Sequence, residues 1–302
     1  MALLLVLLSL ALLTTATVYL VEDNHLAIRR TGNQAQRLQA QYLSQSALQW
    51  AMLVLQKDGE SSVIDHLGEP WTRLTTPIRV EQGELAIEIT DAQGRFNINN
   101  LQIDETGVWT AAFKRLLKMN ALDESLADKV RDWLDTDIMP ISLDGAEDSD
   151  YLLKDPPYRA ANNLIADPGE LRLIDGFTKD VIDKLRPYIA ALPESGVRIN
   201  INTCPESLFR IFGQTLLPDG AGSTLADSRG ETGYEKPGDF LVNTVLASHA
   251  DVAEALSTVS SDYFTVLITS RYGRISRKER YLVRRQLGQV VIVSVVRLTS
   301  VA

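Results

Sequence analysis

The first 21 residues, Met1 to Val21, carry no charged side chain, and Glu22 and Asp23 follow at once. At about 1.5 Å of rise per residue, a helix of this length reaches roughly 30 Å, enough to cross the hydrocarbon core of a bilayer. A cleavable secretory signal would need a basic stretch before the apolar run and a small-residue site after it. The run starts at Met1 and ends in Thr17-Val18-Tyr19-Leu20, so both are missing and a retained membrane helix is expected. The missing basic flank suggests a short leader cut off before Met1.

Past the apolar run there is no proline from Asn24 to Lys57, and Gly32 is the only glycine. Leu38, Tyr42, Leu43, Ala47, Trp50, Met52, Leu53 and Leu55 recur at helical spacing, which extends the helix as an amphipathic stalk. A glycine cap should end it near Lys57-Asp58-Gly59. Ile78, Val80, Leu85, Ile87 and Ile89 alternate around Glu81-Gln82-Gly83-Glu84 and predict a hairpin, and a third strand is expected at Arg95-Phe96-Asn97-Ile98-Asn99. Strand patterns then vanish until Tyr263–Tyr272, Lys278–Leu287 and Val290–Thr299, with turns at Gly273 and Gly288. The expected fold is α+β, with a long amino-terminal helix on an antiparallel sheet and a large, mainly helical insertion. The divisions are 1–21 for the membrane segment, 22–104 for the stalk and first strands, 105–255 for the insertion, and 256–302 for the closing strands. Pro218 to Lys236, rich in glycine, serine and aspartate, is expected to be a mobile loop.

Thirty-nine acidic residues against 30 basic ones give a formal net charge of −9. That balance disfavours nucleic acid, whose backbone affinity comes largely from lysine and arginine. Cys204 is the only cysteine, so no internal disulfide can form. His25, His66 and His249 are scattered, and no catalytic motif of the common hydrolases or nucleotide-binding proteins occurs, so no catalytic residue is expected. His66 suits a turn, while Trp71 and Trp109 suit the core.

Between Arg131 and Lys154 every charged residue is acidic: Asp132, Asp135, Asp137, Asp144, Glu147, Asp148 and Asp150. A hard cation would relieve the mutual repulsion, and calcium tolerates the irregular geometry of a loop holding Pro140 and Gly145. The spacing is not that of an EF-hand, and a solvated acidic loop fits the same residues. Asp132 has a further option, pairing with Arg131 or facing Trp133. Glu170 to Phe177 with the helix that follows, and Asn202-Thr203-Cys204-Pro205-Glu206 with a later helix near Pro237–Leu246, resemble helix-hairpin-helix units. Thr178 stands where DNA-binding versions carry a second glycine, so packing modules are expected, with Asn202 or Thr203 as a helix cap.

An apolar helix running into a stalk and a small antiparallel sheet resembles the pilins and pseudopilins. Six segments narrow the resemblance: Leu26–Arg30, Asp65–Trp71, Gly94–Leu101, Gly145–Asp148, Tyr158–Asn162 and Ile199–Thr203. In that order they are similar to the K-type minor pseudopilin of the type II secretion system, the general secretion pathway protein K family, over essentially the whole chain. Leu5 stands where most pilins carry a glutamate. That departure removes a buried carboxylate and fits a subunit at the filament tip, though it fits an ordinary membrane anchor equally.

The resemblance implies a calcium site with ligands among Asp135, Asp137, Asp144, Glu147, Asp148 and Asp150. It also implies cleavage by a prepilin peptidase before Met1, methylation of the new amino terminus, and a single-pass inner-membrane anchor with the globular part in the periplasm. The I-type and J-type minor pseudopilins are the expected partners through the stalk helix, with the major pseudopilin, the secretin and secreted substrates as further ones. The competing expectations are a subunit of another type IV filament, for piliation or DNA uptake, and a membrane-anchored periplasmic hydrolase.

Overall fold

The computed structural model describes residues 1–74 and 77–298. Helix α1, Ala2–Ser61, is continuous from the apolar run into the stalk. It is the one described helix long and apolar enough to cross a membrane, with a mean hydropathy of 2.4 in its most apolar window. Its far end is not glycine-capped. The chain leaves at Ser62 in extended conformation, its amide on the Asp58 carbonyl (2.9 Å). Gly59 stays inside the helix, where a Cβ would come within 2.9 Å of the Arg285 side chain.

Ala47, Leu48, Ala51 and Leu55 of α1 dock on one face of a five-stranded antiparallel sheet. Its members are β1 (Ile78–Val80), β2 (Gly83–Asp91), and the later strands β7 (Tyr263–Tyr272), β8 (Ile275–Gln286) and β9 (Gln289–Leu298), in the order β1-β2-β7-β8-β9. Alternation puts Leu85, Ile87, Ile89, Val266, Ile268 and Val283 against the helix, with Trp71 edge-on to Phe264 at 5.5 Å. The expected hairpin around Glu81-Gln82 and the turns at Gly273 and Gly288 are all present. Leu287 and Gly288 both have positive φ (52° and 72°), the conformation a two-residue hairpin turn matched to strand twist requires. Thr299, the expected end of the last strand, lies outside the described residues.

Residues 92–262 form the insertion between the paired strands β2 and β7. These boundaries replace 105 and 255, because the short strands at either end pair inside the insertion. Strand β3 (Phe96–Asn97) runs parallel to β4 (Ile189–Ala190), and β5 (Ile199–Asn200) parallel to β6 (Ser257–Thr258). The expected third sheet strand at Arg95–Asn99 is therefore absent from the main sheet. The remaining elements are α2 (Val108–Met119), α3 (Leu126–Leu134), α4 (Asp148–Tyr151), α5 (Lys179–Leu185), α6 (Asp219–Ser228), α7 (Pro237–Leu241) and α8 (Ala250–Leu256), with 3₁₀ turns between them. Pro218–Lys236 is not a loop throughout. Its first half is α6, which buries Ala221, Gly222 and Leu225.

Buried asparagines hold the insertion together. Asn99 donates to the Ile165 and Leu192 carbonyls (2.8 and 2.7 Å) and accepts the Ile165 amide (2.9 Å). Asn97 accepts the Leu192 amide (2.9 Å), and Asn100 bonds both polar groups of Val197 (2.8 and 3.1 Å). Asn202 is no helix cap, since it clamps the Tyr234 backbone through both amide atoms (2.7 and 3.0 Å). Thr203 instead donates to Asp91 (2.6 Å). The first hairpin-like unit is a 3₁₀ turn at Pro168–Leu173 followed by α5, which Thr178 caps. Its apolar side chains Leu171, Ile174, Phe177, Ile182 and Leu185 all enter the core.

The insertion meets the sheet at a charged knot. Arg285 of β8 donates to the Leu55 carbonyl (3.3 Å), Asp58 (2.8 Å), Asp65 and the Ser261 carbonyl (3.1 Å), with its guanidinium 4.8 Å over Phe264. Asp91, at the end of β2, accepts from Asn200, Ser261 and Thr203 (2.9, 2.6 and 2.6 Å).

Removing the guanidinium would strand buried carboxylates. Arg285→Met is expected to cost about 3–5 kcal/mol in urea unfolding, and a loss below about 1 kcal/mol would contradict the knot's role. Burial, with a smaller push from Asp91, raises Asp65 to about 7 against the opposing pull of Arg285. A carboxyl raised in the folded state adds stability below its unfolded value that is lost as pH rises through the folded one. Between about pH 4 and 7, stability in Asp65→Asn should therefore fall less steeply with pH than in the native chain, as read from urea midpoints.

Candidate metal centre

The acidic segment begins in the last turn of α3. Helical spacing puts Asp132 and Asp135 one turn apart on one face, where the helix's own carboxyl-terminal partial charge is already negative. Glu147, just ahead of α4, folds back onto them, and one carboxylate oxygen from each of the three lies within 4.8 Å of the others. Asp132 and Glu147 are buried, and Asp135 is partly so.

Gly145 makes the approach possible, because a Cβ there would collide with Asp132 Oδ2. The loop closes over Asp132, whose two oxygens accept the Ile141 and Ala146 amides (3.0 and 2.8 Å). Asp132 still has acceptor capacity, and the other carboxylates have far more. Glu147 Oε1 and Oε2, Asp135 Oδ1 and Asn162 Oδ1 are all buried without a hydrogen-bond partner among the described residues. The Asn162 side chain is tied to this loop through the Asp137 carbonyl (3.1 Å).

The electrostatics agree with the geometry. Burial, then the charges of Asp135 and Asp132, pushes Glu147 up to about 7. Asp132 and Asp135 are also raised, each mainly by burial. Three carboxyls that resist ionisation around common unpartnered oxygens would be relieved by a cation. An all-oxygen set without thiolate or imidazole suits a hard ion. Trp133, Tyr151 and Tyr158 form an aromatic wall on one side, with Trp133 edge-on to Tyr151 at 5.2 Å.

Of the six residues expected from the sequence, Asp135 and Glu147 come together and Asp137 stands close enough to perturb both. Asp137 Oδ1 takes the Met139 amide (2.8 Å). Asp148 takes the Ala160 amide (3.0 Å) and faces Arg159, Asp150 takes the Glu147 amide (3.1 Å), and Asp144 lines an outer recess. Asp132, for which the sequence offered Arg131 or Trp133, makes no ion pair with Arg131 among the described residues and joins Asp135 and Glu147 instead. Its i, i+3 relation to Asp135 was the available signal.

A second carboxylate group, Asp58, Asp65 and Glu69, also lies within 4.8 Å. There Arg285 supplies the positive charge to Asp58 and Asp65, and Glu69 accepts from Trp71 Nε1 (2.8 Å). His66 is the expected turn residue, its Nδ1 accepting the Gly68 amide (3.1 Å). Cys204 is buried and its thiol is pushed up to about 12, chiefly by desolvation.

Comparison with known proteins locates this architecture. Residues 94–194, which hold β3, Asn97, Asn99, Asn100 and the acidic centre, match the family model described as type II secretion system (T2SS), protein K. The chain is 36% identical to type II secretion system protein K of Pseudomonas aeruginosa, over 79% of this chain and 74% of that protein. It is 30% identical to the Pectobacterium carotovorum protein of the same description, over 97% and 94% of the two chains. Among solved structures it superposes on a chain from the crystal structure of the GspK–GspI–GspJ complex of the enterotoxigenic Escherichia coli type 2 secretion system. That match has a TM-score of 0.82 and 26% identity, and covers 90% of this chain and all of the other. With a continuous helix that runs from an apolar start into an amphipathic stalk, an interrupted five-stranded sheet and relatives matched over 74 and 94% of their length, the chain belongs to the type II secretion system protein K family, the K-type minor pseudopilins.

Proposed function

We propose that this minor pseudopilin sits at the tip of the type II secretion pseudopilus, starts its assembly with I-type and J-type subunits, and carries a structural calcium ion. Family membership supports the secretion role, and the observation that carries the tip placement is the insertion. Residues 92–262 hang from the end of the sheet beside Asp58 and Asp65, opposite the β7–β8 turn that touches Gln36 lower on the stalk. A mass of that size at the membrane-distal end suits a subunit with nothing stacked above it. Leu5 agrees, since a topmost subunit has no neighbour to partner a carboxylate in lipid.

The partner contact is a second apolar stripe on α1. Leu38, Tyr42, Trp50 and Leu53 are 47, 59, 40 and 46% exposed. At 100° per residue they fall within about 120° of each other, on the side turned away from the sheet. Stalk helices of the I-type and J-type subunits would cover them. The same reading includes leader cleavage before Met1 by a prepilin peptidase, methylation of Met1, an inner-membrane anchor and a periplasmic globular part. The role is structural, and the major pseudopilin, secretin and exported proteins are further partners.

In the metal centre, Asp132, Asp135 and Glu147 would hold the calcium ion, with Asn162 as a neutral oxygen donor. The bound ion supplies positive charge that ties the end of α3 to the start of α4. The chain's own residues do the rest: Gly145 admits the close approach, and Asp132 fixes the loop through Ile141 and Ala146.

Two measurements test this reading. Trp50→Asp combined with Leu53→Asp should abolish co-purification with the I-type and J-type subunits and stop secretion, while circular dichroism of the variant stays native. Calcium, more than magnesium, should raise the thermal midpoint of the native chain, by about 2.7 kcal/mol of added stability at a hundredfold excess over Kd. Glu147→Gln should lose that response and, in chelator, melt no lower than the native chain, because it removes the repelling charge.

A further inference from the structure

We infer that the loop Ile138–Leu143, with Leu153 beside it, is a docking surface for a protein whose contact face sets apolar side chains among lysines and arginines. Ile138, Met139, Leu143 and Leu153 are 69, 75, 106 and 87% exposed. Ile141 and Leu152 are also exposed. Single exposed leucines are ordinary on a soluble surface, but six large apolar side chains within sixteen residues of sequence are a concentration of the kind that marks contact sites.

The exposure does not come from a loose segment. The Met139 amide is held by Asp137 (2.8 Å), the Ile141 amide by Asp132 (3.0 Å), and Ser142 donates to Asp128 (2.9 Å). Hydrogen bonds thus fix the loop with its apolar side chains outward. Leu143 and Leu153 line one recess of about 590 Å³, whose walls add Asp123, Asp144, Asp150, Asp175, Lys129 and Lys154. Asp175 bonds both lysines, which leaves three aspartates to set the sign of the rim.

Position and charge choose the occupant. From Glu22 to Ser61, α1 rises about 60 Å, and the insertion leaves the sheet beside that upper end, out of reach of the bilayer that holds Met1–Val21. A second copy would bring the same acidic rim against this one. A net-acidic, mainly polar recess flanked by exposed Leu143 and Leu153 steers toward a cationic protein surface that also carries apolar side chains, and away from anionic lipid. The inference does not depend on the tip placement.

The test uses the full chain in zwitterionic nanodiscs and a dye-labelled amphipathic peptide of leucine and lysine, read by fluorescence anisotropy against empty nanodiscs. Saturable binding is expected, with none for the peptide in which glutamate replaces lysine. Leu143→Ser with Leu153→Ser, which changes no charge, should weaken binding roughly tenfold or more. Leu287→Ser, equally exposed on the β8–β9 turn, should leave it unchanged. Undiminished binding in the double variant would reduce the effect to charge adsorption and overturn the inference. Equal binding of the glutamate peptide would also overturn it. So would adsorption to phosphatidylglycerol vesicles that the same two substitutions abolish.

Discussion

Everything above the stalk depends on one guanidinium. Arg285 reaches the last turns of α1, the first residue cluster beyond it and the strand that re-enters the sheet, bonding Asp58, Asp65 and the carbonyls of Leu55 and Ser261 at once. The two residues at the mouths of the insertion, Asp91 and Ser261, bond to each other (2.6 Å), and Asn200 joins them. A buried ion pair gives little net stability when compared with a well-packed apolar alternative. What it does here is specify geometry, because a planar donor with five N–H groups accepts only one arrangement of helix end, strand and loop. Gly59 shows the tolerance, since a single methyl there would press on the Arg285 side chain.

The insertion solves a different problem. A sequence of 171 residues whose strands are two residues long cannot satisfy its buried backbone by ladders alone. Asn97, Asn99, Asn100 and Asn202 take over, each offering an amide donor and acceptor that stand in for a neighbouring strand. The apolar core then forms around them from Phe96, Ile98, Phe113, Phe209, Phe212 and Phe240. The order Gly94-Arg95-Phe96-Asn97-Ile98-Asn99 is an alternation in which both sets are buried. The apolar set enters the core and the amides bracket distant loops.

That double burial explains what the sequence made legible and what it hid. The stalk, β2, β7 and β8 were readable because each has one wet face, so periodicity carries the signal, whereas β9, exposed on both faces, was readable from its β-branched run and the glycine turn before it. The segment at Arg95–Asn99 has the same period, and nothing local says that its amides bond residues about a hundred positions away. Pro218–Lys236 misled by composition, because Ala221 and Leu225 bury a helix among residues typical of loops. Within the centre, Asp135 and Glu147 stood out as uncompensated acids. Asp132 was obscured by Arg131 and Trp133, and Asp144, Asp148 and Asp150 by their equal charge. Burial, which ranks these acids, arises only when α3 and α4 meet.

The two carboxylate triads show one physical problem met in two ways. Asp58, Asp65 and Glu69 crowd together at the root of the insertion, and the chain brings its own cation, so the root is complete whenever β8 is formed. Asp132, Asp135 and Glu147 crowd together just as closely at its outer edge, and no arginine or lysine among the described residues reaches them. Lys129 and Lys154 are nearby but go to Asp175 instead. Neutralising the outer triad is therefore left to a proton, which Glu147 holds up to about 7, or to an ion from solution. A root that carries its own cation and an edge that carries none give the insertion a neutralised attachment to the stalk and an acidic outer face. That face carries the exposed leucines.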